Sequence, residues 1–246
     1  MRVRGEAPSR ERARTLHEEV LVVLSLSFLA SAVYAVLSLF EAPIRGVTVP
    51  SVSQEPWVVK QLVGIAFGLA PVWLVFHLLR RGGEGPATIG LRAERPARDA
   101  VRGAALAAVV GVAGAGLYTA AVELGWNRAV VPVPPLGRWW TWPVLVLDAA
   151  QAALAEEIVV LAYLVTRLEQ AGWGGRAAVG ASALLRGAYH LYQGWGGFAG
   201  NLALGLLFGE GFRRTRRAWP FVVAHFLLDV GAGVGFVVLR DRLPGT

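Results

Sequence analysis

The sequence has no cysteine. That excludes disulfides, thiolate nucleophiles and cysteine metal sites, and it leaves the redox compartment undetermined. Charge is also scarce: 17% of residues are charged and 55% are hydrophobic, against about 25% charged in an ordinary soluble domain. There is no GxSxG elbow, no HExxH, and Ser182 is almost the only serine near the polar region singled out below. Serine hydrolysis and the commonest zinc-protease helix are therefore disfavoured. No internal repeat is visible, which disfavours a transporter built from duplicated halves, although intramembrane Glu, His and Asp also suit proton relays. The linkers 82–98 and 130–137 are too short to be domains.

What remains is apolar. Mean hydropathy is +0.51, and long apolar runs mark an all-α, polytopic transmembrane helical bundle. Seven spans are predicted at about 20–40, 57–79, 100–123, 143–166, 177–193, 196–212 and 218–239, with eight as the alternative count. That pair is expected to bend near Gly194, Gly196 and Gly197. Residues 1–19 read as a polar N-terminal segment, 20–123 as N-terminal membrane helices and 143–239 as the chemical core. The first apolar run lacks a small-residue cleavage site near its end and reads as a retained span.

Net charge is +7, nearly all of the positive charge being arginine. The arginines cluster between apolar runs, so they are read as topology and anionic-lipid signals, not as a nucleic-acid surface. The N-terminal segment (Arg2, Arg4, Arg10, Arg12, Arg14), the second-to-third linker (Arg80, Arg81, Arg92, Arg95, Arg98, Arg102), the fourth-to-fifth (Arg167, Arg176) and the sixth-to-seventh (Arg213, Arg214, Arg216, Arg217) carry most of them. The alternate linkers hold only Arg45 with Lys60, and Arg128 with Arg138. This alternation predicts a cytoplasmic N-terminus and an outer C-terminus. Arg240 and Arg242 run slightly against it, with Asp241 between them. Trp57, Trp139, Trp140 and Trp142 fit an outer interfacial belt.

Within the apolar runs lies a set of ionisable groups. Glu156 and Glu157 are adjacent in the fourth span, and each intramembrane charge costs about 2.5–3.5 kcal/mol on insertion scales. Measured from the nearest flanking arginine, Glu156 lies roughly 16 Å deep, Arg186 roughly 15 Å, His190 roughly 21 Å, His225 roughly 12 Å and Asp229 roughly 18 Å. Three spans thus place polar groups at one depth. Arg186 with His190, and His225 with Asp229, are i,i+4 pairs that share a helix face. Adjacent glutamates point about 100° apart on an α-helix. One is then expected to face a cavity and the other a neighbouring helix. Arg186 reads as counter-ion to Glu156 or Glu157, and Asp229 as a partner that holds the His225 tautomer. His17, His77 and Asp148 are assigned no chemistry, Asn201 and Glu210 read as interhelical glue, and Tyr192 with Gln193 as lining the outer mouth of a cavity.

A carboxylate and an imidazole at one depth can hold a water between them and take its proton. A second histidine and a donor can stabilise an oxyanion. Glu156, His190 and His225 also make a two-His, one-carboxylate set that resembles catalytic zinc ligation. The residues leave open whether zinc or another divalent metal is used; no cofactor is required on the favoured reading.

EEIVVL (156–161), RGAYH (186–190) and HFLLD (225–229) resemble the three membrane motifs of the CPBP family of intramembrane proteases: EExxxR, FxxxH and HxxxN or HxxxD. That family includes the type II CAAX prenyl endopeptidases and bacteriocin self-immunity proteins. The resemblance covers about residues 143–239. It implies an intramembrane endopeptidase acting on a membrane-associated protein or peptide. Glu156 would activate water with His190 assisting, His225 and Asp229 would bind or position around the oxyanion, and Glu157 would support them. A catalytically silent scaffold or bacteriocin-immunity protein of the same family is the alternative. Two positions depart from the motifs: Leu161 stands where the first has Arg, and Arg186 where the second has Phe. These departures are expected to compensate, the guanidinium having moved from one helix to its neighbour. Asp229 is the acidic form of the third motif; ionised, it cannot donate to an oxyanion and would only orient His225. The Arg-dominated, Ala- and Gly-rich composition suggests a bacterial cytoplasmic-membrane protein, for which a prenylated substrate is not required.

Overall fold

The computed structural model describes residues 8–41 and 43–239; Arg2, Arg4, Arg240, Asp241 and Arg242, used above for topology, lie outside the described residues. The chain is an all-α helical bundle. Ten α-helices follow in order among the described residues: α1 Arg10–Ser25, α2 Phe28–Glu41, α3 Val58–Gly68, α4 Ala70–Arg81, α5 Pro96–Glu123, α6 Thr141–Ala155, α7 Leu164–Gln170, α8 Gly175–Tyr189, α9 Trp195–Thr215 and α10 Trp219–Leu239. A π-helical segment, Glu156–Tyr163, joins α6 to α7 without a break. In the outer-loop pair that the alternation predicts, β1 Thr48–Pro50 and β2 Ala129–Val131 form a short parallel ribbon. It accounts for the extended part of the proline-rich segment 130–137.

Three of the predicted spans are helical stretches long and apolar enough to cross a membrane: Val58–Arg81, Pro96–Glu123 and Trp219–Leu239. The first span differs from expectation. Helix begins at Arg10, inside the segment read as polar, and α1 and α2 meet at a 54° bend at Leu26–Ser27. Ser9 caps α1 by accepting from the Arg12 amide at 3.3 Å. Leu16, Val20 and Val23 then supply a buried stripe at helical spacing while the charged residues stay outside. Apolarity alone hid this helix, because only one of its faces is apolar.

The run 141–170 is the axis of the bundle. Every residue from Glu157 to Leu168 is buried. Val159, Tyr163, Val165, Phe208, Phe212 and Phe221 belong to one continuous core around it. Large apolar residues are exposed on several helices, among them Phe40 on α2, Phe67 on α3, Val101, Val109 and Val112 on α5, and Val238 on α10. Helices α8 and α9 approach closely through small residues. A Cβ on Gly205 would meet the Ala183 backbone at 2.8 Å, and one on Gly209 would meet Val179 at 2.6 Å. The expected bend between them lies at Gly194, where φ is +115° and a Cβ would meet the Trp126 carbonyl at 2.5 Å. Only glycine fits there.

Candidate active site

The site starts from a backbone irregularity. In the π segment the i→i+5 pattern puts more residues in each turn than an α-helix has, so neighbouring side chains diverge less. Glu156 and Glu157 were expected to point apart to different tasks; instead both carboxylates reach one guanidinium. Arg186 Nη1 donates to Glu157 Oε1 at 2.6 Å, and Arg186 Nη2 lies 3.3 Å from Glu156 Oε2. Arg186 comes from the last turn of α8, is buried, and lies over the Phe208 ring at 5.6 Å. The counter-ion role expected for Arg186 is met geometrically, with both glutamates as partners.

Glu157 and Glu156 differ in access. The Glu157 side chain is 0% exposed and that of Glu156 is 13% exposed. Glu157 Oε1 also lies 2.7 Å from His225 Nδ1 on α10. Glu156 Oε2 accepts from the Tyr189 hydroxyl at 2.7 Å, while Glu156 Oε1 accepts no hydrogen bond among the described residues. Glu157 Oε2 also lacks a partner but is buried, so Glu156 is the carboxylate whose free oxygen has some exposure.

The two histidines are held differently. His225 has a carboxylate at each ring nitrogen: Glu157 at Nδ1, and Asp229 Oδ2 at 3.3 Å from Nε2. A ring with a proton on each nitrogen satisfies both. Arg186 Nη2 also lies 3.2 Å from His225 Nδ1. His190 sits just past the end of α8, as its C-cap. Its Nδ1 donates to the Arg186 carbonyl at 3.0 Å, and its ring packs 4.7 Å from Tyr189 and 6.4 Å from Tyr192. That bond fixes the neutral tautomer with Nε2 as the acceptor. His190 makes no hydrogen bond or ion pair with the carboxylates among the described residues.

This bears on the metal alternative. The sequence grouped Glu156, His190 and His225 as potential ligands. The side chains whose donor atoms come within 4.8 Å of one another are Glu156, Glu157 and His225. His190 is not in that set. The three donors themselves already contact Arg186, so a divalent ion among them would lie against a guanidinium.

Several site residues carried no motif signal. Tyr189 was missed, although it precedes His190. Arg128 was counted as a loop charge but is buried, donating to the carbonyls of Tyr192 and, at 3.0 Å, Ser38. These bonds tie Tyr192, two residues beyond His190, to Ser38 of α2. Tyr192 and Gln193 bond each other there at 3.0 Å. Among the described residues, the bonds of Asn201 and Glu210 stay within their own helix and do not serve as the expected interhelical glue. Asn201 donates to the Gly197 carbonyl of its own helix, and Glu210 pairs with Arg213 and Arg214 of that helix. Ser182 donates to the Val160 carbonyl of the π segment at 2.6 Å, so it braces the backbone that carries the glutamates. Ser182→Ala is expected to cost about 1 kcal/mol of stability, read from denaturant unfolding in detergent micelles.

The fold and site define an integral membrane protein with a buried Glu–Glu–Arg–His cluster. Residues 138–231 match the family described as Type II CAAX prenyl endopeptidase Rce1-like. All six site positions, Glu156, Glu157, Arg186, His190, His225 and Asp229, fall inside this match. No curated protein and no solved structure matches the chain.

Proposed function

We propose that this protein is an intramembrane endopeptidase that hydrolyses a peptide bond of a membrane-associated protein or peptide with a water activated by Glu156 and His190. The observation that carries this reading is the division of labour between the glutamates: Glu157 is sealed among Arg186 and His225, while Glu156 keeps a free Oε1 and some exposure. The water oxygen attacks the scissile carbonyl carbon as its proton passes to Glu156. The carbonyl electron pair moves to oxygen, giving a tetrahedral oxyanion. Collapse breaks the C–N bond, and the proton goes from Glu156 to the leaving amine. His190, with Nδ1 occupied and Nε2 as acceptor, orients the water. Arg186 and His225 supply positive charge where the oxyanion develops. Asp229 holds His225.

On this reading no metal is required, because Arg186 already provides the cation that the glutamates demand. The protein sits in a bacterial cytoplasmic membrane with its N-terminus cytoplasmic, as the arginine alternation suggests. Its partners are lipid and a membrane-associated polypeptide; nucleic acid is not among them. A second reading, a silent scaffold or immunity protein, is favoured by one feature: Glu156 is itself engaged by Arg186.

The deciding experiment is cleavage of a diverse peptide library by bilayer-embedded protein, with and without a chelator. Chelator-insensitive cleavage is the expected result. Cleavage abolished by the chelator would replace the water-only mechanism with a metal one, and no cleavage by folded protein would favour the scaffold. Tyr189 acts by positioning Glu156. Tyr189→Phe removes a bond to a charged group worth about 1.5–3 kcal/mol. Its kcat is expected to fall about tenfold or more with KM unchanged; a change confined to KM would remove Tyr189 from this role.

A further inference from the structure

Away from the glutamate site, a pocket of about 340 Å³ opens between the loop before α5 and the turn from α9 to α10. Its lining is Arg92, Glu94, Arg95, Thr215, Arg216 and Arg217: four guanidinium groups and one carboxylate. We infer that this pocket binds a phosphate group, and that its occupant is the headgroup of an anionic phospholipid. The inference is independent of the peptidase reading.

Two of the arginines are fixed in advance. Arg216 is the αL cap of α9, with φ 52°, and among the described residues it is the sole non-glycine at positive φ. Its side chain donates twice to Glu169, at 2.5 and 2.8 Å, and lies over Phe212. Arg217 is clamped by the buried Asp99 at 2.5 and 2.8 Å and by Glu94 at 3.1 Å. The Glu94 carboxyl is held below its usual range by the hydrogen bond from Arg217, so it stays an acceptor for Arg217. A guanidinium carries five N–H groups, so both arginines keep donors for a ligand. Arg92 and Arg95 are exposed and form no ion pair among the described residues. The pocket therefore joins two rigid cations to two free ones, an arrangement suited to the several oxygens of a phosphate.

The position selects the source. The pocket lies at the first turn of α5, and Val101, one turn further along, is 69% exposed. Two helices long and apolar enough to cross a membrane, Pro96–Glu123 and Trp219–Leu239, begin at the pocket, so a phosphate held there sits at the level where lipid headgroups meet the bilayer. A free phosphate has no need of that level.

The test is native mass spectrometry and affinity measurement on the delipidated full chain titrated with phosphatidylglycerol, phosphatidylcholine and inorganic phosphate. Arg92→Gln/Arg95→Gln is compared with Arg80→Gln/Arg81→Gln, an exposed pair outside the pocket. Among the described residues, neither pair has a side-chain hydrogen bond or ion pair to lose. Phosphatidylglycerol is expected to bind the wild type and the Arg80/Arg81 variant alike, and the Arg92/Arg95 variant about thirtyfold more weakly. Displacement by inorganic phosphate at millimolar concentration would assign the site to phosphate itself; resistance to it would assign the site to the intact lipid. Equal weakening in both variants would reduce the pocket to general surface charge, and unchanged binding in the Arg92/Arg95 variant would refute the site.

Discussion

Glu156→Gln is expected to lower single-turnover cleavage by about two to four orders of magnitude, the usual contribution of a positioned general base, with little change in folding. The substitution keeps the shape and lets the amide oxygen still accept from Tyr189. It removes the basic oxygen that takes the proton of water. Glu157→Gln is the informative contrast. Glu157 is 0% exposed and bonds both Arg186 and His225. Neutralising it leaves buried cations short of a partner, and breaking a buried pair from one side costs about 3–5 kcal/mol. The expected pattern is a folded but inactive Glu156 variant beside a destabilised Glu157 variant. Cleavage and unfolding measured on the same bilayer preparations read both. A Glu156→Gln protein that still cleaves at the wild-type rate would end the case for Glu156 as base, and equal instability of the two variants would mean both glutamates serve the fold.

Arg186→Phe is the second large effect. Arg186 is the one cation that contacts both Glu156 and Glu157 within the cluster, and its loss leaves Glu156 without a cation and Glu157 with His225 alone. A destabilisation of about 3–5 kcal/mol is expected, together with loss of cleavage. The rescue tests where the guanidinium came from. Leu161 stands four residues beyond Glu157 and five beyond Glu156 within the π segment. With i→i+5 bonding, those two offsets flank the same face. An arginine at 161 would therefore rise beside both carboxylates from their own helix, and Phe at 186 would lie beside Phe208. Leu161→Arg with Arg186→Phe is expected to recover stability and cleavage that Arg186→Phe loses. Leu161→Arg alone, placing a second cation beside Arg186, is expected to be destabilised. A double variant as impaired as Arg186→Phe would show that the two positions do not exchange the charge.

The motifs were readable because membrane depth is nearly one-dimensional. Counting residues from flanking arginines aligned Glu156, Arg186, His190, His225 and Asp229, and the structure links the side chains of all but His190 in one chain that runs through Glu157. Tyr189 escaped because a tyrosine in an apolar helix looks like packing until its hydroxyl is seen on Glu156. Arg128 escaped because a loop arginine counts as topology unless its burial is known. The amphipathic start of α1 escaped because its charges outweigh a stripe of three apolar residues.

The sequence by itself determined that the chain is helical and membrane-embedded, which segments carry charge, and that Glu, Arg, His and Asp side chains share a level in the bilayer. Those properties follow from composition, helical rise and the cost of charge in hydrocarbon, each of which acts along a single helix. Only the tertiary structure decided that the fourth span passes into a π-helix at the glutamates, that Glu157 is sealed while Glu156 keeps some exposure, that His190 turns Nδ1 to its own helix, and that four arginines from two separate segments wall one pocket. Those outcomes depend on how helices rotate and pack against one another, and no spacing within one segment encodes the azimuth of its neighbour.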